Sequence, residues 1–465
     1  MLRTLRIQNF KGWEDTGEIK FAPITLFFGA NSSGKSSIGQ FLMMLKQTAE
    51  SSDRKMVLHT GDEDSAVNLG SYNNITFMHD PQHELIFDYS WDPTEQVNIP
   101  CSGKEKTKEN AIKAIQFHCH LGTKRNGNPE LKAFSYSLTG QDGASTDFSL
   151  RWFDGKNSGY DLADEKNYHF KRFAGRPWKT DMTLHFYGVP KELLGYYQNA
   201  DFLADINLQQ EKFFSKFFYL GPIRQSPSYL YSWSGYEPEE VGKAGKDTIA
   251  ALLAGSSRKF IFPHSKSKSL QQVIAEALQG MGLIAKFQVK QLSKAHGQYE
   301  VKIATRGSSE FVNLPDVGFG ISQLLPVLTE LFYVPRKSVI IIEQPELHLH
   351  PSAQAELADI MIDAVLAREN GENRDIQLLI ETHSEHFLRR FLRRLAEDKI
   401  STEQLRAYFV NGAKIPSKLE ELALNKYGEI TNWPKDFFGD ALGDISAQMQ
   451  AGIKKRQEER KNAKV

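Results

Sequence analysis

Eight residues near the start of the chain, Gly29-Ala30-Asn31-Ser32-Ser33-Gly34-Lys35-Ser36, set two glycines, small polar residues, a lysine and a hydroxyl in an order that cradles phosphate. Glycine lets backbone N–H groups turn toward phosphate oxygens, and a helix beginning at the lysine adds its positive end. Lys35 is expected to reach the β- and γ-phosphates of a nucleotide, and Ser36 to ligate Mg²⁺. Three further groups fit the same chemistry. Val339-Ile340-Ile341-Ile342 runs into Glu343-Gln344-Pro345-Glu346, which puts a carboxylate at a buried strand end, where a magnesium-holding acid is needed. Ile376 to Ile380 runs into Glu381-Thr382-His383-Ser384, so His383 stands at another strand end, placed to sense a γ-phosphate. Ahead of both, Asp316-Val317-Gly318-Phe319-Gly320-Ile321-Ser322-Gln323 offers two glycines and a Ser-Gln pair at a helix start. That is an anion-binding tip or, equally, a plain helix cap.

These groups need buried strands and helices to hold them. Ile24 to Phe28 is an apolar run apart from Thr25, as for a strand covered on both faces. After the glycine turn, Ile38, Phe41, Leu42 and Leu45 recur at helical spacing. From about residue 84 to 190 the period becomes two: Leu85, Phe87, Tyr89, Trp91; then Phe134, Tyr136, Leu138; then Phe148, Leu150, Trp152. Turns at RNGNP and DGKNSG punctuate these runs, which predicts an antiparallel β-rich insertion. An irregular Pro- and aromatic-rich segment follows, YLGPIRQSPSYLYSW, and Phe287 and Val289 with Tyr299, Val301 and Ile303 predict a hairpin. The chain therefore reads as α/β in four parts: residues 1–83, 84–215 (the β-rich part), 216–397, and 398–465 with a charged tail.

The order of P-loop, Gly-Ser tip, acidic strand and strand-end histidine resembles the ABC ATPase superfamily. NFKGW, GANSSGKSS (ending at Ser37), VGFGISQLLPVL, EQPELHLHP and ETHSEHFLRR are most similar to its non-transporter branch of chromosome-maintenance, recombination and overcoming-lysogenization-defect ATPases. Within that branch they resemble a bacterial anti-phage subgroup. RAYFVNG and WPKDFF, around Trp433 and Phe437, are similar to that subgroup's short C-terminal domain of unknown function. The resemblance implies an ABC-type P-loop ATPase head with a mixed β-sheet, using ATP and Mg²⁺. Gly29, Asn31, Ser32, Ser33, Gly34, Lys35, Ser36 and Ser37 would hold the nucleotide, with Ser36 and Glu343 on the metal. Gly318, Gly320, Ser322 and Gln323 would meet the γ-phosphate of ATP held by an opposite protomer, giving a homodimer with two sandwiched nucleotides. A separately encoded effector, a nuclease among the candidates, would be the partner.

One departure bears on catalysis. The superfamily's acidic pair uses one carboxylate for the metal and a second to polarise water. Here Glu343 takes the first place and Gln344 the second. An amide cannot accept the water's proton, so either Glu346 substitutes or hydrolysis is slow, and slow hydrolysis is expected.

The bulk numbers narrow the rest. Lys plus Arg and Asp plus Glu are equal at 57 each, so net charge advertises no nucleic-acid partner. Two cysteines, Cys101 and Cys119, form no disulfide framework and fit a reducing cytoplasm. The opening residues do not read as a signal peptide, and no apolar run is long enough for a membrane span. Glu346, His348 and His350 lack a fourth ligand for zinc. His118 and His120 read as one polar strand face, and Arg389, Arg390, Arg393 and Arg394 as a solvated helix face or a phosphate-binding stripe. Two rival functions remain. A nuclease of the overcoming-lysogenization-defect type needs converging acids. Instead, Asn411 follows the last good strand, and Glu420 and Glu421 lie in an apparent helix. A compact recombination ATPase that loads on DNA is the other.

Overall fold

The computed structural model describes residues 1–93, 95–100, 109–153, 158–166, 168–175, 179–180, 183–263, 265–293, 295–412, 415–434, 447–453 and 455. Cys101, part of the DGKNSG turn, Phe437 and the charged tail from residue 456 lie outside the described residues. In chain order, β1 (Leu2–Phe10) and β2 (Ile24–Gly29) lead into α1 (Lys35–Ala49). There follow β3 (Leu85–Trp91), β4 (Glu109–Thr123), β5 (Pro129–Gly140), β6 (Ser145–Phe153) and β7 (Gly159–Lys166). Next come α2 (Phe202–Phe214), β8 (Phe217–Leu220), α3 (Leu270–Gly280), β9 (Ile284–Ser293) and β10 (Gln298–Thr305). The last third holds α4 (Phe319–Tyr333), β11 (Val339–Glu343), α5 (Pro351–Leu366), β12 (Gln377–Glu381), α6 (Glu385–Ala396), β13 (Leu405–Asn411) and β14 (Lys418–Glu421).

The largely apolar strands assemble, with the polar β14 at one edge, into one six-stranded sheet, ordered β8-β11-β12-β2-β13-β14 and parallel except for β14. Alternate residues face two separate cores. Phe27, Ile341, Leu379 and Tyr408 pack on the side of α1, whereas Leu26, Ile342, Ile380 and Ala407 pack on the side of α4, α5 and α6. Burial on both faces removes the polar half of the alternation. Helix α1 buries Ile38, Phe41, Leu42 and Leu45, and Phe41 meets Phe10 and Phe87 edge-on at 5.1 Å.

The period-two runs form a second, antiparallel sheet along the path β7-β6-β5-β4-β3-β1 and Trp13–Asp15. Because β3 pairs with β1, the β-rich run continues a sheet that the first ten residues begin. Leu85, Phe87, Tyr89 and Trp91 are all buried, as the alternation predicts. Trp152 departs from it: late in β6 it is 38% exposed, its ring edge-on to Tyr160. The expected hairpin is β9–β10, with Phe287 opposite Ile303 and Val289 opposite Val301.

Glu420 and Glu421 correct the expectation of a helix. They lie in β14, opposite Phe409 and Tyr408 of β13. The local preference of KLEELAL for helix gives way to the free edge of a buried strand, whose N–H and C=O groups need partners. The arginine stripe on α6 is paired locally: Arg390 and Arg394 reach Asp359 of α5 at 2.5 and 2.6 Å, Arg389 bonds Glu385, and Arg393 bonds Glu397. His118 and His120 pair across the sheet with Asp88 and Glu84. No helix among the described residues is long and apolar enough to cross a membrane.

One buried acid makes stability depend on pH. Glu330 of α4 is wholly buried and accepts the Val241 N–H at 3.1 Å. Burial, reinforced by Glu240, pushes its carboxyl up to about 8. A raised carboxyl keeps its proton in the fold, so stability is greatest below the ordinary carboxylate range and falls as pH rises toward 8. Glu330→Gln keeps an acceptor for Val241 and removes the titration. It is expected to flatten stability between pH 5 and 8 and to raise the melting temperature at pH 8 by about 2–4 °C. Thermal melts of both proteins across that range with parallel slopes would refute it.

Candidate functional site

The phosphate-cradle residues lie where β2 ends and α1 begins. Gly29 has φ 147°, and a Cβ there would sit 2.3 Å from the Val410 carbonyl oxygen of β13. Gly34, with φ 104°, caps α1 over the Trp13 indole. Only glycine combines those dihedrals with that proximity. Lys35 is buried, and its ammonium donates to the carbonyls of Gly29 (3.0 Å) and Ala30 (2.7 Å), with Glu381 at 3.9 Å. Burial lowers its pKa, opposed by the charges of Glu381, Glu343 and Glu346. Ser36 stands beside the Glu381 carboxylate and acts to lower its pKa. Ser37 acts on the turn instead. Its hydroxyl accepts the Trp13 indole N–H at 2.7 Å and donates to the Gly34 carbonyl, bracing the turn from below. Ser33 is buried, and its carbonyl accepts the Ser417 hydroxyl at 2.9 Å.

Two acids end neighbouring strands in register, Glu343 on β11 and Glu381 on β12. Tyr219, on β8, donates its hydroxyl to Glu343 Oε1 at 2.7 Å. Burial, and then the Glu381 charge, raise the Glu343 carboxyl to about 7. Glu381 is raised as well, chiefly by burial, and its Oε2 is buried without a partner. Ser36, Glu343 and Glu381 together offer hard oxygen donors of the kind Mg²⁺ prefers when phosphates complete its shell.

The turn after β11 is pinned to β12. Gln344, with φ 45°, donates its N–H to the Glu381 carbonyl at 2.8 Å. Glu346 is buried, and its Oε1 accepts the Thr382 hydroxyl (2.7 Å) and the His383 N–H (2.9 Å). Its Oε2 and the His383 Nε2 are buried and unpartnered. Burial, with Lys35 adding to it, lowers the imidazole pKa, so His383 is neutral at pH 7.

The glycine tip stands apart. Gly318 is exposed, with open space where a Cβ would project, and Phe319 is 52% exposed and edge-on to His348. A Cβ on Gly320 would come within 3.0 Å of the His348 carbonyl. Ser322 and Gln323 are buried, and the Ser322 hydroxyl donates to the Phe319 carbonyl at 2.7 Å. Among the described residues no hydrogen bond joins 317–323 to 29–37.

Residues 1–140 match a family model described as an AAA ATPase domain, and residues 202–389 one described as "AAA domain, putative AbiEii toxin, Type IV TA system". The protein is a P-loop ATPase. A third family model, described as a protein of unknown function (DUF3696), matches this ATPase over residues 400–448, which include β13 and β14. No curated protein matches it. Similar solved structures include an SmcHead bound to the C-winged helix domain of ScpA, at 11% identity, covering 91% of this chain and 98% of that one, with a TM-score of 0.38. An SMC head domain from Thermotoga maritima has 9% identity, covers 91% and 99%, and has a TM-score of 0.36.

The structure brings Lys35, Ser36, Glu343, Gln344, Glu346 and His383 to one edge of the ATPase sheet, and leaves Gly318, Gly320, Ser322 and Gln323 on a separate tip. Sequence reasoning missed the place of Glu381 beside Lys35 and Ser36. The signal was there: Leu378-Leu379-Ile380 runs into an acid just as Ile340-Ile341-Ile342 does.

Proposed function

We propose that this ATPase is a slow molecular switch: it binds Mg-ATP at Gly29–Ser36, closes into a two-fold dimer around two nucleotides, and signals that state to a separate effector. Lys35 pairs the phosphates. Ser36, Glu343 and Glu381 would hold Mg²⁺, which when bound neutralises phosphate charge. His383, neutral and with a free Nε2, reads the γ-phosphate. Gln344 orients water without taking its proton. The observation that carries the dimer is the exposed tip at Gly318 and Phe319, unbonded to its own P-loop and free to cover another chain's nucleotide. ATP then favours the closed state because only that state gives its γ-phosphate a second set of contacts. Similarity of the motifs to anti-phage ATPases supports a defence role with a partner effector.

Gly318→Arg tests the geometry. Ser322 is buried, so enlarging it would also disturb packing; Gly318 has open space around it. The variant is expected to fold and bind ATP as the parent does, and to lose ATP-dependent dimerisation. Light scattering that shows undiminished ATP-dependent dimers refutes the sandwich.

A further inference from the structure

The segment YLGPIR places an arginine that the site described so far does not use. Leu220 ends β8, and the turn beyond it is pinned on both sides: Gly221 N–H donates to the Lys243 carbonyl at 2.9 Å, and Gln225 N–H to the Ala244 carbonyl at 2.8 Å. Pro222 stiffens the turn. Ile223 faces solvent, while Arg224, one residue on, is 4% exposed. One Arg224 N–H, on Nη2, donates to the carbonyl of Glu343 at 3.0 Å. Nε and Nη1 are buried with no partner.

A buried guanidinium with unpaired donors is costly, and an apolar side chain of similar size would serve packing better. Such groups persist where a function needs them. The opposite charges acting most strongly on Arg224 are Glu346, then Glu343. Glu346 carries a matching orphan, its buried Oε2, while its Oε1 holds Thr382 and the His383 N–H. No ion pair within 4.0 Å is formed between Arg224 and Glu346, so two complementary buried groups, one held at the Glu343 carbonyl and the other three residues along the same turn, are left unjoined.

We propose that Arg224 is a positioning residue for ATP hydrolysis: it holds the turn between Glu343 and Glu346 through the Glu343 carbonyl, and its unused N–H groups close on Glu346 when nucleotide is engaged. Glu346 in turn sets Thr382 and His383 at the end of β12. The role belongs to a cation supplied by the same chain, and it rests on the ATPase reading above.

The test is a double-mutant cycle with full-length protein, Mg-ATP, single-turnover hydrolysis and ATP titration. Arg224→Met is expected to lower kcat about tenfold and to leave KM and ATP affinity within about twofold. Arg224→Lys, which keeps the charge and is the safer variant for folding, is expected to recover part of that loss. In a Glu346→Gln background Arg224→Met should cost nothing further, because both act through one contact. Losses that multiply in the double variant, a loss confined to KM, or an unchanged kcat in Arg224→Met overturns the proposal. Lys35-dependent turnover in the parent keeps the ATPase reading standing whichever of these is found. A parent without such turnover sinks that reading and this proposal together.

Discussion

Lys35→Ala is expected to weaken Mg-ATP binding about a hundredfold while the fold stands. The ammonium is the one cation buried within the P-loop turn, held by the Gly29 and Ala30 carbonyls and set against Glu381. A charge-assisted contact to phosphate contributes about 1.5–3 kcal/mol, and nothing else at the turn replaces it. The turn itself depends on other bonds: Ser37 to Trp13 and Gly34, and Ser417 to Ser33. Circular dichroism should therefore match the parent. Retention of full nucleotide affinity in a calorimetric titration would remove the P-loop assignment.

Gln344→Glu is expected to speed hydrolysis about a hundredfold and to shorten the life of the proposed ATP-bound dimer. Gln344 directly follows Glu343 and is anchored through its N–H to Glu381, so a carboxylate there lies beside the Glu343 and Glu381 carboxylates without a change of backbone. Glu346 is the rival base. Its Oε1 is committed to Thr382 and His383, and its Oε2 is sealed from solvent, which suits a positioning group. Glu346→Gln should thus cost about tenfold rather than the hundredfold or more of a lost base. Unchanged turnover in Gln344→Glu with a hundredfold loss in Glu346→Gln would reverse these assignments.

Local chemistry was legible along the chain wherever it depends on neighbours in sequence. The phosphate turn could be read because glycine, lysine and serine must follow one another between a strand and a helix. The strand ends at Glu343 and Glu381 could be read because strands buried on both faces leave unbroken apolar runs that stop at the first charge. The β-rich region could be read from its period of two, up to Trp152, where the buried face runs out.

Strand order leaves no such local trace. It is the sheet that sets β12 between β11 and β2 and so brings Glu381 against Lys35 and Ser36. The same sheet puts β8 next to β11, which carries Tyr219 to the Glu343 carboxylate and Arg224 to its carbonyl. It also takes β13 and β14 from the C-terminal segment, although KLEELAL favours a helix by itself. The phosphate turn, the two acidic strand ends and the neutral Gln344 follow from the order of residues alone, because each is a matter of residue type and short spacing. Which acid faces the lysine, the inward turn of Ser322 and Gln323, and the burial of an arginine behind Glu343 are set by the folded arrangement. Those depend on long-range strand pairing and on packing from two cores, which no short window of sequence contains.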